Sequence, residues 1–405
     1  MIQRLKVELN FGNSIIEVGE LALDTKSIFF KFDEEFLDKK IEISPFKLKA
    51  SDQIYKAQPQ PFEGLFGVFY DSLPDGWGRL LFDRAMTSKG IDLSSISMLD
   101  RLSYVGKTGM GALTYTPVSD IQSNENSFIE LDDIHQSVNQ VLEGTFTDVL
   151  EELYQLGGSS GGARPKILVG YNPKTEHLIH GETELPEGYE NWLIKFPSSF
   201  DPTDIAEIEF SYYQLAIQAG IEMQLSKLFY GKSGKAFFGT KRFDKVNSSR
   251  FHIHTAAGML GDNFRISTMD YGHLFDATYK LEKNIQALEK VFRLATFNLL
   301  AHNLDDHSKN FSFIMDELGQ WKFAPAYDLT FSHSGHGFHS TTYDGEGKNP
   351  TIKHLLNLAD YFNIKNTNKI IEEVKASLSS WNSVAKNSGV SKVSVLTIQK
   401  QLNNI

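Results

Sequence analysis

Cysteine is absent from this chain of 405 residues, which removes disulfides, thiolate metal sites and cysteine nucleophiles together. Excess positive charge is missing too. Against 40 Lys and Arg stand 51 Asp and Glu, and the net charge of −11 has the wrong sign for a general binder of nucleic-acid backbones. No apolar run reaches the roughly 20 residues that a membrane span needs. Neither an internal repeat nor a low-complexity tract is present. The opening stretch, Met1 to Leu9, alternates apolar and charged residues, as a strand does and a secretory leader does not, so a cytoplasmic protein is expected. What remains is ordinary: 41% hydrophobic and 22% charged residues fit a soluble globular protein long enough for two or three cores.

The order of patterns suggests how those cores are arranged. Strand-like segments at 5–9, 15–21 and 27–32 are separated by short polar turns, and helical stretches are expected at 80–86 and 95–105, with a strand at 111–116. Polar residues around 119–127 make a candidate boundary. A helical approach at 146–156 leads into a Gly/Ser-rich segment, followed by strands at 167–170 and 192–196 and a helix at 205–219. Segments 225–229 and 236–243 read as a hairpin. A long helix from 285 to 303, a second hairpin (311–314 with 321–323) and helices from 353, 368 and 391 complete the chain. Strands with one helix, then mostly helices, predict an α+β protein: a small sheet-bearing lobe followed by a helical one.

The densest chemistry follows the long helix. Asn303-Leu304-Asp305-Asp306-His307-Ser308-Lys309-Asn310 is followed eighteen residues later by Asp328. Asp305 to Asn310 has the D-x-x-x-x-N spacing of a protein-kinase catalytic loop, in which the Asp accepts a hydroxyl proton, the Asn holds magnesium and a later Asp completes the metal site. Magnesium takes hard oxygen ligands, which Asn310 and Asp328 supply. Upstream, Gly157-Gly158 and Gly161-Gly162 can bring backbone N–H groups close to a phosphate, although such a segment also reads as a flexible linker. It is not a Walker A loop, because Lys166 follows Pro165 and precedes Ile167. Lys195, amid the apolar strand Trp192-Leu193-Ile194-Lys195-Phe196, needs an anionic partner such as a phosphate, or Glu207 or Glu209 on the next helix; Glu209 is the choice. A rival reading gathers His302, Asp305, Asp306 and His307 into a metal hydrolase site, but their spacing matches no zinc motif and leaves Lys166 and Lys195 without a role. His333, His336 and His339 fall in a Gly/Ser-containing stretch that reads as a surface loop.

At these residues the chain resembles the HipA family of serine/threonine protein kinases, toxins of toxin–antitoxin pairs. Asp71-Ser72-Leu73-Pro74-Asp75-Gly76-Trp77-Gly78 is similar to the family's N-terminal signature, and 99–106 with 109–113 to its continuation. Gly158 to Lys166 resembles the family's phosphate loop, Arg242-Phe243-Asp244 its hinge, and Asp305 to Asn310 its catalytic loop. The resemblance implies a bilobed protein-kinase-like fold with an added N-terminal β/α subdomain: 1–118 for that subdomain, 145–245 for the β-rich lobe and 246–405 for the helical lobe. It implies ATP and Mg²⁺, with Asp305 as catalytic base and Asn310 and Asp328 as metal ligands. It also implies nucleotide contacts from Gly161, Gly162, Ala163, Arg164, Pro165, Lys166, Lys195, Lys241, Arg242, Phe243, His307, Ser308, Lys309, Asn310, Tyr327 and Asp328. Ser159 matches the serine that relatives phosphorylate on themselves, with Ser160 beside it. A HipB-like helix-turn-helix antitoxin is the implied partner, DNA being reached only through it. The substrate is expected to be a host protein; aminoacyl-tRNA synthetases serve some relatives, and nothing in the sequence selects one. Two alternatives stay open: a catalytically weak kinase-fold module acting as corepressor with the antitoxin, and a kinase for a small molecule or lipid.

Overall fold

Antiparallel sheets accompanied by helices make up the computed structural model, which is the α+β class that the sequence predicts; it describes residues 2–119, 128–144, 150–158, 161–181, 185–332 and 337–403. Ser159, Ser160, His333, His336 and most of the candidate boundary at 119–127 lie outside these residues. Contacts group the chain into two compact units, one of 1–201, 229–254 and 314–320, the other of 202–228, 255–313 and 321–405.

Among the described residues the first unit carries two large sheets and a two-stranded one, Lys245–Val246 with Ser249–Arg250. β1 (Arg4–Asn10), β2 (Ile15–Asp24), β3 (Ser27–Phe32), β4 (Tyr55–Lys56) and β5 (Leu113–Thr116) lie in the order β4-β3-β2-β1-β5, and the pairings are antiparallel. The period of two in β1 is visible in its burial: Leu5, Val7 and Leu9 face the core while Lys6 and Glu8 do not. α1 (Gly76–Ser88) is longer than the expected 80–86 and starts directly at the two glycines, because Trp77, Leu81, Phe82 and Ala85 share one apolar face. The helix expected at 95–105 is instead a 3-10 turn at Leu93–Ser95 and then α2 (Met98–Val105), begun by a capping box between Ser97 and Asp100. α3 (Leu131–Glu143), for which the sequence reading makes no provision, precedes α4 (Leu150–Gly157).

The second sheet, of five strands, includes β6 (Lys166–Tyr171), β7 (Leu178–His180), β8 (Glu190–Lys195) and β9 (Ala236–Lys241), with β6 and β9 on either side of β8 and β7 outside β6. Every residue of β6 is buried, so both its faces are covered. One core of α1, α3, α4 and the second sheet surrounds Trp77, Leu81, Val138, Leu153, Ile167 and Trp192. Each such side chain stabilises the fold by about 1.5–3 kcal/mol through burial.

The second unit is mostly helical: α5 (Ile205–Gln218), α6 (Tyr271–Glu282), α7 (Ile285–Leu300), α8 (Ile352–Tyr361), α9 (Thr367–Ser379), α10 (Trp381–Asn387) and α11 (Lys392–Leu402). Tyr212 of α5 is enclosed and donates its hydroxyl to Ala301 O at 2.8 Å, which fixes the chain just where α7 ends. Its ring meets Trp381 edge-on, with centroids 5.6 Å apart.

Candidate functional site

α7 delivers the catalytic-loop sequence, and its end sets the loop's path. Asn303 returns to the helix, its N–H donating to Asn298 O and its amide nitrogen to Asn298 Oδ1, both at 3.0 Å. Leu304 is buried, whereas Asp305 emerges with 64% of its side chain exposed. Asn310 closes the loop by donating its amide N–H to Asp305 O at 2.7 Å, which leaves its own Oδ1 as the group available to a cation. His307 Nε2 stands 4.0 Å from Asp305 Oδ1.

Asp328 is tied to the same loop from both sides. On one side, Tyr327 donates its hydroxyl to Lys309 O at 2.7 Å and lies 2.6 Å from Ser312 Oγ. On the other, Ser332 Oγ accepts from Asp305 N at 3.0 Å and donates to Asn303 Oδ1 at 3.2 Å. Adjacent Cα atoms are about 3.8 Å apart, so these two anchors keep Asp328 beside the loop. Its backbone is left-handed, φ +57°, a conformation uncommon outside glycine and found disproportionately at functional positions.

The neighbouring Asp306 has another task. Its carboxylate is buried and accepts from Tyr271 Oη (3.0 Å), His339 Nδ1 (3.0 Å), Ser340 N (2.9 Å), Thr341 N (3.2 Å) and Tyr343 Oη (3.4 Å). Burial and the nearby Asp306 charge push the hydroxyls of Tyr271 and Tyr343 well above the usual phenol range. Asp306 therefore stitches segment 339–343 to the loop and is not part of a four-residue metal cluster, which removes the hydrolase alternative. His339 belongs to this buried network and not to a surface loop. Ser308, expected beside a nucleotide, is enclosed, its hydroxyl donating to Asp262 Oδ2 at 2.5 Å. Lys309 lies 4.7 Å from the centre of the Phe264 ring.

In the first unit, the glycine segment runs from the end of α4 into β6. Gly162, at φ +92°, holds a backbone conformation that side chains rarely adopt, and a Cβ there would displace Lys166 Nζ, 2.2 Å away. Lys166 donates to Gly161 O at 2.5 Å, and Arg164 pairs with Asp201 at 3.0 Å. Lys166 and Lys195 face each other directly across β6 and β8, at 4% and 9% exposure. Glu209, on α5 of the other unit, is buried.

The hinge motif divides. Lys241 reaches Glu190 at 2.9 Å; burial acts to raise the Glu190 carboxyl, but hydrogen bonds from Lys241 and Trp192 bring it below its usual range. Arg242 is closed inside the fold on Asp244, its Nε donating to Oδ1 at 2.9 Å, and Gly111 N donates to Asp244 Oδ2 at 2.8 Å. Burial would raise the Asp244 carboxyl, yet the Arg242 guanidinium holds it down at about 2. The Arg242 side chain is thus taken up by Asp244, and it is Asp244 that reaches the N-terminal segment through Gly111. Phe243 is half-buried.

Sequence reasoning also passed over a Ser–His–Asp chain in the first unit. His254 Nε2 lies 3.0 Å from Ser44 Oγ and its Nδ1 lies 2.6 Å from Asp71 Oδ2. Ser44 is 1% exposed, so no substrate reaches it, and the arrangement fastens three segments together. No signal in the sequence links residues so far apart.

Among the described residues no group of three or more His, Asp or Glu could hold a metal by itself, so a magnesium site at Asn310 and Asp328 needs phosphate oxygens and water to complete it. No helix of the described residues is long and apolar enough to cross a membrane.

Comparison with known proteins adds the family. Residues 158–381 match a family model described as the HipA-like C-terminal domain, and 13–116 one described as the HipA N-terminal domain. Y4mE of Sinorhizobium fredii (strain NBRC 101917 / NGR234), provisionally named a kinase, is 25% identical over 334 residues, covering 77% of this chain and 74% of that protein. The HipA of Shewanella oneidensis MR-1, solved with HipB and its operator DNA, superposes with a TM-score of 0.70 at 18% identity, over 98% of this chain and 95% of that one.

Proposed function

This chain belongs to the HipA family, and from that premise we propose that it is an ATP- and Mg²⁺-dependent serine/threonine protein kinase, the toxin of a toxin–antitoxin pair. One observation carries the reading: Asp305, Asn310 and Asp328 are gathered by the ties of Tyr327 and Ser332 to a single loop. In this proposal Asp305 accepts the proton of the attacking hydroxyl, and Asn310 and Asp328 hold magnesium, which when bound would neutralise charge on the transferred phosphoryl group. Lys166 and Lys195 meet the nucleotide phosphates, and Lys241 to Phe243 supply backbone contacts. The division into 1–118, 145–245 and 246–405 follows the same reading, as does a cytoplasmic location.

The Shewanella relative was solved with HipB and operator DNA, which supports a HipB-like antitoxin as partner. A net charge of −11 leaves DNA binding to that partner. Ser159 is the proposed acceptor of self-phosphorylation, where about two added negative charges would repel the triphosphate. Phosphopeptide mapping after incubation with Mg-ATP should find it, and an unmodified 157–166 peptide would remove it.

The decisive test is transfer from γ-labelled ATP in host lysate. Asp305→Asn should lower labelling of the acceptor protein by about 10²- to 10⁴-fold, the usual loss for a general base. Labelling equal to wild type would refute Asp305 as the base.

A further inference from the structure

The signature Leu73-Pro74-Asp75-Gly76-Trp77-Gly78 has no part in the chemistry above, yet it grips the glycine loop. Asp75 occupies the N-cap position of α1, where an Asp ordinarily accepts from N–H groups of its own first turn. It makes no such bond. Its Oδ1 instead accepts from the N–H of Gly162, 87 residues away in sequence. Trp77 N donates to Gly162 O at 3.1 Å, so both backbone polar groups of Gly162 are taken by residues 75 and 77. Gly76, at φ +43°, lies so close that a Cβ would come within 2.5 Å of Ala163 Cα. Asp75 is itself buried, so this hydrogen bond is shielded from water.

From this geometry we infer that Asp75 is a positioning residue for nucleotide binding: it gives up capping α1 to hold Gly162 in the left-handed turn that brings Lys166 Nζ against the loop. The inference rests on the reading of 157–166 as a nucleotide loop. A loop held in one shape binds without losing affinity to its other shapes, and releasing it reduces the competent fraction and weakens apparent affinity in proportion.

Asp75→Ser keeps a good helix cap on α1 but is too short to reach Gly162, and Asp75→Asn keeps an acceptor of the same reach. In the full-length protein, titration with Mg-AMP-PNP should show Asp75→Ser binding about tenfold or more weakly, and Asp75→Asn within about threefold of wild type. The apparent KM for ATP should rise with kcat changed less than about twofold, since binding and not the chemical step is affected. Amide exchange without nucleotide should protect Gly162 in wild type and lose that protection in Asp75→Ser. Wild-type affinity with unchanged exchange in Asp75→Ser would overturn the inference. So would an unprotected Gly162 amide in wild type, a measurement that stands even if the Ser variant fails to fold. If wild type binds no AMP-PNP but Gly162 is protected, the kinase reading fails and the tether alone survives.

Discussion

Asp306 and His252 show how differently two buried groups can be maintained. Asp306 satisfies five donors, and Asp306→Ala would leave them without an acceptor, so a loss of about 3 kcal/mol or more is expected in urea denaturation. Asp306→Asn should recover little of it, because the amide turns a donor toward groups that already donate. His252 donates to Ile43 O at 2.9 Å, and burial pulls its pKa down to about 3. Between about pH 6.5 and 3 the unfolded chain binds a proton that the folded chain refuses, so stability is full above that window and is lost as pH falls through it, by about 1.4 kcal/mol per pH unit at most. His252→Gln should flatten this limb of the curve of stability against pH, and an unchanged slope would show that His252 does not control it. Asp305, Asn310 and Asp328 could be singled out from sequence because a defined chemistry requires those residue types at those intervals. Asp306, Asp75 and Ser44 could not, since their partners are backbone amides and side chains remote in the chain.

At the scale of elements, local codes were legible where they were strong. α7 carries a sustained apolar period and ends into a polar run, and the alternation of β1 declares its inner face. α3 was equally readable, with Leu131, Ile134, Val138 and Val141 at helical spacing, although the sequence reading ran past it. α6 is the harder case: Tyr, Gly, His, Asp and Thr are poor helix formers, and burial of Tyr271, Leu274 and Phe275 overrides their preference. The break before α2 was hidden for a third reason, because Ser97 is a stop to one segment and a cap to the next. Ser97→Ala should cost about 1 kcal/mol by loss of the capping box, measurable as a lower thermal midpoint with the fold intact.

For the whole molecule, the proposed activity predicts linkage between ligand and stability. Saturating Mg-AMP-PNP, at about 100 times its Kd, should stabilise the protein by about 2.7 kcal/mol, seen as a raised thermal midpoint. EDTA should abolish most of that increment if Asn310 and Asp328 bind nucleotide through magnesium, and an increment insensitive to EDTA would separate nucleotide from metal. The α+β class and the order of strands before helices were evident from the sequence, because periodicity reports on layers. The two-unit grouping was not: it places 229–254 and 314–320 with the first 201 residues, a return of the chain that no local pattern encodes.

The backbone of Asp328 bears on how this protein can be disabled. At φ +57° most side chains are strained, so alanine there would remove a carboxylate and also deform the turn shared with Tyr327. Asparagine tolerates that torsion and keeps the shape of the side chain. A dead allele meant to preserve recognition by a binding partner is therefore better made as Asp328→Asn.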